Sequence, residues 1–415
     1  MIARDIYLDQ LIAGMGNGMI KVVTGIRRCG KSVLLMELFP KYLLEHGVDD
    51  SHIIDIALDD RTNKDLRSPD AILQYIRKRT AGKGKYYVLL DEVQLVDEFR
   101  DVMNSIQHLK NADLYVTGSN SHFLSSDIPT EFRGRSDQIR IWPLSFSEYY
   151  SGTGGDKRDA WRDYYTFGGL PATLALNTEK KKADYLKDLY ETVYKKDMVE
   201  RNKIKNTVEF EELVRVMASI IGSPCNPSKL SKTFSSKEQS KITNKTITDY
   251  LKYMANAFLI EKSARYDIRG RKHIGGLAKY YFSDVGVRNA VLEFNQQEPN
   301  HIMENILYNE LRVRGYNVST GKLEKKYTQE GKSIRKNLEV DFVAGSGNSR
   351  YYVQSAWSMP DEEKAQQESR PLNNIKDSFR KIIVTADDIK PQRGADGILI
   401  MNVIDFLLDK NSLDK

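Results

Sequence analysis

The residues best suited to chemistry lie in a short glycine-rich segment near the start of the chain. Residues 25–32 read Gly-Ile-Arg-Arg-Cys-Gly-Lys-Ser, which fits the pattern G-x-x-x-x-G-K-[ST]. In such a loop, backbone N–H groups at a helix N-terminus face an anion, and the glycines permit a tight turn close to it. The lysine reaches the β- and γ-phosphates of a nucleotide, and the hydroxyl binds Mg²⁺. The segment therefore predicts a site for ATP and Mg²⁺.

The flanking residues predict the elements that position this loop. An apolar run with Ile20, Val22 and Val23 precedes it and indicates a strand, and an apolar run over residues 33–38 follows with helical character. We expect the whole loop to contact the nucleotide, together with one carboxylate from a later strand. The predicted nucleotide-binding residues are Gly25, Ile26, Arg27, Arg28, Cys29, Gly30, Lys31, Ser32, Val33 and Asp91.

The later strand ends in two carboxylates. Residues 86–92 read Tyr-Tyr-Val-Leu-Leu-Asp-Glu, and a continuous apolar run is typical of a buried parallel strand. Because ligands of open α/β sheets bind at the carboxyl ends of the strands, Asp91 is predicted to support Mg²⁺ with Ser32. Glu92 is predicted to orient or activate the attacking water. The alternative is a strand that ends in two solvated acids.

Two more strand candidates complete the expected sheet. Residues 52–58 lie along the chain between the glycine-rich loop (the Walker A motif) and the strand that ends in Asp91 (the Walker B motif). An inserted strand between the Walker A and Walker B strands is typical of the ASCE division of P-loop ATPases. Residues 112–120 form the other candidate. Thr117, Ser119 and Asn120 at its end are each able to present a polar group to the γ-phosphate, and Asn120 is included among the predicted catalytic residues.

Two arginines follow this last strand within residues 131–136, Glu-Phe-Arg-Gly-Arg-Ser. An arginine at this place can stabilise the transition-state charge on the phosphate of a neighbouring subunit. Arg135 is the first candidate for this role, and Arg133 is the second. The alternative is a pair of surface arginines without a role in catalysis.

The motifs together resemble the prokaryotic AAA-type ATPases that carry an appended domain of unknown function, DUF4143. The resemblance covers nearly the whole chain. It rests on Thr-Gly-Ile-Arg-Arg-Cys-Gly-Lys-Ser at 24–32, Leu-Leu-Asp-Glu-Val at 89–93, Thr-Gly-Ser at 117–119, Gly-Arg at 134–135 and Pro-Leu-Ser-Phe at 143–146. The resemblance implies an AAA+ ATPase that works as a homo-oligomeric ring, such as a hexamer, with nucleotide between its subunits.

The segment 207–297 is predicted to be a winged helix. Its third helix begins after Thr243, a candidate N-cap, and a basic turn at 265–272 between two strand-like runs is the candidate wing. Basic side chains in such a module bind the phosphates of DNA, although winged helices also bind proteins. The predicted DNA-binding residues are Lys245, Lys252, Arg269, Arg271 and Lys272.

The segment 298–415 resembles the restriction-endonuclease fold in its order of helices and strands. Glu304 lies on a predicted helix and Asp341 on a predicted strand, where that fold places metal ligands. The E-x-K motif of the next strand reads Gln354-Ser-Ala, so a carboxylate and a lysine are missing. Two carboxylates bind a divalent metal poorly. We therefore expect an inactive nuclease fold, with purely structural roles for Glu304 and Asp341 as the alternative.

Composition limits the class of protein. The 415 residues carry a net charge of +6 and are 40% hydrophobic, without an apolar stretch long enough for a membrane helix. A charged N-terminal segment without a signal-peptide core indicates a cytoplasmic protein. Two cysteines and six histidines at these spacings predict neither a structural disulfide nor a metal cluster.

The predicted fold is therefore α/β: a P-loop NTPase of the ASCE/AAA type with a parallel sheet and helices, followed by a winged helix and an endonuclease-like α/β domain. The predicted domains span 1–151, 157–206 (a helical connector), 207–297 and 298–415. The predicted function is an ATP-hydrolysing motor on DNA, a translocase or a branch-processing helicase. The alternatives are an ATP-dependent switch that binds protein partners, and a metal-dependent nuclease gated by ATP.

Overall fold

The computed structural model describes residues 2–118, 134–237, 242–329 and 332–415, and the chain divides into two compact units. The first comprises Met1–Pro143 with Asn256–Phe258, and the second comprises Leu144–Ala255 and Leu259–Lys415. The N-terminal part of the first unit ends at Pro143. Phe146 belongs to the second unit, where it packs edge-on against Trp161 with 5.7 Å between ring centroids.

A parallel sheet in the order β2-β3-β4-β1-β5 forms the centre of the first unit. Its strands are β1 Ile20–Thr24, β2 Ile53–Ala57, β3 Tyr86–Asp91, β4 Ala112–Thr117 and β5 Ser136–Arg140. The helices described in this unit are α1 Asp5–Ala13, α2 (Lys31–Val33, the π-helical Leu34–Leu38 and Phe39–Glu45), α3 Pro69–Arg79 and α4 Phe99–Gln107. The parallel α/β P-loop fold predicted from the sequence is confirmed.

The order of the strands adds a feature that the sequence alone did not predict. β1 precedes the glycine-rich loop and β3 carries the acidic pair. The strand that lies between them in the sheet is β4, while β2 pairs with β3 at the edge of the sheet. The side chains explain this order. Asp55 in the middle of β2 is exposed, as an edge position allows. Asp113 of β4 is buried, and its charge is compensated by an ion pair with the buried Lys21 of β1.

The central strands are buried on both faces, because helices cover both sides of a parallel sheet of this type. Every residue of β1 and of β3 is buried. The buried cluster beneath them joins Val22, Val88, Leu90 and Val116 to Ile106 of α4. This packing fixes the carboxyl ends of β1, β3 and β4 next to one another.

The second unit begins with helices and ends with a sheet. Its helices are α5 Phe146–Thr153, α6 Lys157–Phe167, α7 (Glu179–Leu189, the π-helical Tyr190–Lys195 and Lys196–Arg201), α8 Thr207–Ser219, α9 Pro227–Lys237, α10 Asn244–Asn256, α11 Val285–Val291, α12 Pro299–Val313, α13 Glu362–Asn373 and α14 Val403–Leu408. Its strands are β6 Ile260–Asp267, β7 Lys272–Phe282, β8 Asn317–Gln329, β9 Lys332–Ser346, β10 Ser349–Ala356, β11 Arg380–Thr385, β12 Gln392–Arg393 and β13 Leu399–Asn402.

These strands form one eight-stranded sheet in the order β12-β13-β11-β10-β9-β8-β6-β7. The hairpin β6–β7 is the predicted wing, and β6 pairs in parallel with β8, so that Arg265 lies opposite Thr320. The sheet therefore joins strands from both sides of residue 297, where the sequence predicts a domain boundary. Within the described ranges, none of the helices has the length and apolar character needed to cross a membrane.

Candidate active site

The loop that joins β1 to α2 has a backbone that only glycine accommodates at two positions. Gly25 has φ +146°, and a Cβ there would lie 2.2 Å from the carbonyl oxygen of Ile141. Gly30 adopts a left-handed conformation with φ +100° directly before α2. The loop is therefore a close-packed turn that leads into a helix N-terminus, the geometry suited to binding a phosphate.

Lys31 lies inside this loop. Its side chain is buried, and its ammonium donates hydrogen bonds of 3.1 Å to the carbonyl oxygens of Gly25 and of Ile26. The lysine thus places a positive charge against the backbone to which a phosphate group would bind. Of the other predicted loop residues, Cys29 is buried, while Arg28, Ser32 and Val33 are exposed.

A hydrogen-bond chain connects the ends of β3 and β4. The Thr117 hydroxyl donates to the buried Asp91 carboxylate and accepts the backbone N–H of Glu92 at 3.1 Å. Thr117 was one of three candidates for contact with the γ-phosphate, but its hydroxyl instead fixes the acidic pair. Asn120 and Ser119, the other two, lie outside the described residues.

The two acids have different environments. Burial raises the pKa of the Asp91 carboxyl above its ordinary value, although hydrogen bonds from Thr117 and Ser32 act in the opposite direction. A cation beside this carboxylate would offset the cost of burying its charge. Glu92 is half-buried, has a left-handed backbone with φ +54°, and accepts a hydrogen bond from the amide of Gln94. Gln94 was not predicted, and nothing in the sequence marks it.

A second residue that sequence reasoning missed is Arg4, just before α1. Its buried guanidinium donates to the carbonyl oxygens of Cys29 at 3.2 Å and of Trp142 at 2.6 Å, and lies over the ring of Tyr7. It therefore braces the glycine-rich loop against the segment that follows β5. An arginine just before an N-terminal helix has no local sequence pattern that would reveal this contact.

Arg135 lies away from the loop of its own chain. It immediately precedes β5, and its carbonyl oxygen accepts the N–H of Ile20 at 3.0 Å, at the amino end of β1. The glycine-rich loop follows the carboxyl end of β1, about 16 Å further at the usual rise per residue. The Arg135 side chain is exposed, as a role on a neighbouring subunit would require. Arg133, the second candidate, lies outside the described residues.

The predicted DNA-binding residues lie on two elements of the second unit. Lys245 and Lys252 are exposed on α10, which buries its opposite face through Ile247, Leu251 and Met254. The Thr243 hydroxyl accepts the N–H of Thr246 at 3.1 Å, so the predicted N-cap is confirmed.

The wing presents the other three basic residues at its tip. Arg269, Arg271 and Lys272 are all exposed in the turn between β6 and β7 or directly after it. The turn is held in shape by Asp267, whose carboxylate accepts the N–H of Arg269 at 3.1 Å. The tip therefore concentrates positive charge on an ordered hairpin.

Glu304 and Asp341 come together in the structure, as the endonuclease-like order of elements predicts. They do so around an ammonium that was not foreseen. Lys279 of β7 has its Nζ atom 2.9 Å from a Glu304 oxygen, 2.9 Å from a Glu339 oxygen and 3.6 Å from an Asp341 oxygen. Burial raises the pKa of Asp341 to about 7, and the charge of Glu304 adds to this effect. Burial alone would lower the pKa of Lys279, but the three carboxylates outweigh it and raise the pKa above its ordinary value.

Gln354, at the altered E-x-K position, has a structural role on β10. Its amide oxygen accepts the N–H of Asp341 at 3.3 Å, and its amide nitrogen donates to Glu368 of α13 at 3.2 Å. This side chain therefore links β9, β10 and α13 through hydrogen bonds. With Lys279 in place, no cluster of three or more His, Cys, Asp or Glu side chains among the described residues is arranged to hold a metal ion.

The donor set of the first unit, by contrast, fits a nucleotide with Mg²⁺. The loop backbone is a close-packed cradle, the Lys31 ammonium lies within it, and the Ser32 hydroxyl lies beside the Asp91 carboxylate. Hydroxyl and carboxylate oxygens are the ligands that Mg²⁺ prefers. The fold and this cradle together define the class of protein, a P-loop ATPase of the AAA type.

Comparison with known families agrees with this class. Residues 17–150 match the family described as "AAA domain". Residues 158–298 match a domain of unknown function, DUF8612, rather than the DUF4143 domain expected from the sequence. An uncharacterized protein of Haemophilus influenzae is 33% identical over 98% of this chain and 99% of its own length. An uncharacterized protein of Methanocaldococcus jannaschii is 25% identical over 86% of this chain and 79% of its own.

Similar solved structures include a Walker-type ATPase of Pyrococcus abyssi, with 14% identity, a TM-score of 0.49, and coverage of 70% of this chain and 96% of that one. They also include the Aeropyrum pernix Orc1 protein in complex with DNA, with 13% identity, a TM-score of 0.29, and coverage of 71% and 93%. The chain belongs to the family of the Haemophilus influenzae protein, and its residues 17–150 are an AAA domain.

Proposed function

We propose that this AAA-type ATPase hydrolyses ATP and uses the energy to move or remodel DNA, as a translocase or a branch-processing helicase. The observation that carries the hydrolytic part is the convergence of the glycine-rich loop, Asp91 and Glu92 at the carboxyl edge of one parallel sheet. This edge is where ligands bind in open α/β folds. The basic surface of α10 and the wing carries the DNA part.

In this proposal the chain holds the nucleotide and prepares the water. The loop amides and Lys31 bind the phosphates, and Ser32 and Asp91 hold Mg²⁺, which would neutralise charge on the phosphates. Glu92 accepts a proton from the attacking water or orients it. The hydrogen bonds from Gln94 and to Thr117 fix the direction of Glu92, so that its carboxylate needs little reorganisation during the reaction.

Completion of the site requires a second copy of the chain. Arg135 is exposed at the sheet edge opposite its own loop, and an arginine supplied in trans can stabilise charge on the transferred phosphate. We therefore propose a homo-oligomeric ring, such as a hexamer, in which each Arg135 acts on the nucleotide of its neighbour.

DNA would be held through its phosphates. Lys245 and Lys252 share one face of α10, and Arg269, Arg271 and Lys272 surround the wing tip, all of them exposed. Binding that depends on phosphate contacts is sensitive to salt and weakly specific for sequence. Cleavage of DNA forms no part of the proposal, because the carboxylates needed for a metal are engaged by Lys279.

The decisive experiment is steady-state ATP hydrolysis at low salt, without DNA and with duplex, single-stranded or branched DNA. The Lys31→Ala variant serves as the blank. Strong stimulation by one form of DNA is the expected result, and it would identify the substrate. Turnover that no DNA changes would contradict the motor and favour the ATP-dependent switch that binds protein partners.

A second experiment isolates the DNA surface. The triple variant Arg269→Ala, Arg271→Ala, Lys272→Ala should weaken duplex binding and reduce the salt slope of log K by about one unit for each lost phosphate contact. The matched control removes the same charge from α7, through Lys180→Ala, Lys181→Ala and Lys196→Ala. Equal losses in both triple variants would mean that net charge, and not the wing, governs binding.

A further inference from the structure

The carboxylate cluster of the second unit already contains a cation, and that cation belongs to the chain. The Lys279 side chain is 5% exposed, and its ammonium is within 3.6 Å of three carboxylates. They come from two different elements, Glu304 from α12 and Glu339 and Asp341 from β9, whereas the lysine comes from β7. Four side chains from three elements thus meet at one point.

The remaining hydrogen bonds orient the carboxylates towards this point. The Tyr281 hydroxyl donates to the same Glu304 oxygen at 2.7 Å, and the N–H of Ser355 donates to the other Asp341 oxygen at 2.9 Å. A buried carboxylate is costly unless it is paired and hydrogen-bonded. In this cluster the Lys279 ammonium provides the pairing, and the Tyr281 hydroxyl and the Ser355 N–H provide hydrogen bonds. The carboxylate oxygens are also the ligands that a hard divalent cation would use.

We propose that the Lys279 ammonium takes the place of a divalent cation in this cluster, so that the site is closed to metal in the native protein and opens when the lysine side chain is removed. The ion pairs of Lys279 also connect β7, the second strand of the wing, to β9 and α12 of the endonuclease-like part. The cluster is distinct from the proposed ATPase site, so failure of this inference leaves the proposed function unchanged, and the reverse also holds.

The test uses Mn²⁺ as the probe, with the full-length chain free of nucleotide. Lys279→Ala removes the cation and leaves room for an ion, and should bind one Mn²⁺ per chain more than the native protein, measured from the loss of the free-ion EPR signal. The matched control Lys279→Met also removes the charge but fills the space, and should gain no ion. The double variant Lys279→Ala, Asp341→Asn should lose the added site.

Thermal unfolding provides an independent reading. Both single variants should melt below the native protein, and saturating Mn²⁺ should raise the midpoint of Lys279→Ala by about 5 to 10 °C without changing Lys279→Met. A Lys279→Ala chain that gains no ion, or that stays unfolded in Mn²⁺, would overturn the proposal. The native protein and Asp341→Asn should bind equal numbers of Mn²⁺. If the native protein bound a Mn²⁺ ion that Asp341→Asn did not bind, the cluster would already be open to metal with Lys279 in place. That result would overturn the proposal.

Discussion

Two groups of acidic side chains lie at positions where the sequence suggests metal ligands, and the structure gives them different environments. At the carboxyl edge of the first sheet, Asp91 and Glu92 are held by a hydroxyl and an amide, from Thr117 and Gln94. In the second unit, Glu304 and Asp341 surround the ammonium of Lys279. In the proposal made above, the first pair takes its cation from outside the chain, whereas the second group already surrounds the Lys279 ammonium.

The difference shows that the presence of carboxylates in a sequence does not determine whether a site is open to a metal ion. What decides is the source of the compensating charge. A buried acid without a cation is left with a raised pKa and a cost that an incoming ion can offset, as for Asp91. An acid beside a fixed ammonium has part of that cost offset by the chain itself, although burial and the charge of Glu304 still raise the pKa of Asp341 to about 7.

Replacement of Arg135 tests whether the ATPase site of one chain needs an arginine from a neighbouring chain. Arg135→Ala should lower kcat for ATP by about 1,000-fold, because it removes the charge that stabilises the transition state in a neighbouring subunit. Nucleotide binding should be retained. The measurement is steady-state hydrolysis by the oligomer, with Arg158→Ala, an exposed arginine of the second unit, as the control.

A mixing experiment distinguishes action in trans from action in cis. Arg135→Ala chains retain an intact Lys31, and Lys31→Ala chains retain an intact Arg135. Mixed rings should therefore regain part of the activity that each variant lacks alone. A mixture that remains as inactive as its parts would show that the two residues do not act across an interface.

Substitution of one carboxylate by an amide in each of the two acidic groups should separate an effect on catalysis from an effect on stability. Glu92→Gln should reduce kcat by about 100-fold and leave the melting temperature unchanged, since it removes a proton acceptor from a half-buried position. Glu304→Gln should have the opposite effect, with unchanged ATP hydrolysis and a loss of about 2 kcal/mol of stability, because Lys279 loses a buried partner. Hydrolysis and urea unfolding would be measured on both.

The exposed Glu98→Gln serves as the control for Glu92, because it removes the same charge six residues along the chain. It should change neither quantity. If Glu304→Gln impaired hydrolysis as strongly as Glu92→Gln, the two acidic groups would not be independent and the comparison would fail.

The first site could be predicted from the sequence because its parts are local. The glycine-rich loop and the Asp91-Glu92 pair each follow directly on an apolar strand, so pattern and position are visible together. The order of the strands could not be read in the same way. It depends on which strand tolerates solvent, as β2 does at Asp55, and on the ion pair of Lys21 with Asp113.

The position of Lys279 among the acids of the second unit could not be predicted, because it is far in sequence from the acids it contacts. It lies on a strand that indicates a wing, where a lysine is expected to be exposed and to face DNA. Arg4 was missed for the same reason, since its contacts with Cys29 and Trp142 exist only in the folded chain. Long-range contacts of single charged residues have no periodicity to reveal them.

Thr117 provides a smaller test of how the open site is held. Thr117→Val keeps the shape of the side chain but removes the hydroxyl that joins Asp91 to the Glu92 backbone, and should lower kcat by about 10-fold with a modest loss of stability. Thr117→Ser restores the hydroxyl and should restore most of the activity. Activity that is kept in Thr117→Val and lost in Thr117→Ser would indicate that packing of the methyl group, and not the hydrogen bonds, is what matters.

Another buried acid, Asp284, extends the comparison to a carboxylate held by backbone amides. It accepts the N–H of Val287 at 2.9 Å and of Gly169 at 2.7 Å, and burial raises its pKa to about 6. The folded chain therefore keeps this proton to a higher pH than the unfolded chain, whose Asp pKa is near 3.8. The stability that comes from the protonated form is present below about pH 4 and is lost as the pH rises through about 6.

Asp284→Asn cannot titrate, so the difference in unfolding free energy between the native protein and this variant should fall by about 2 to 3 kcal/mol from pH 4 to pH 7. The control is Asp388→Asn, a change of the same kind at a side chain that is 83% exposed, which should show no such trend. Urea unfolding at several pH values measures both. A difference that does not change with pH would mean that the amides of Gly169 and Val287 hold the charged form of Asp284 as well as water does. A buried acid in this chain would then need no cation, which would remove the basis for contrasting the open and closed sites.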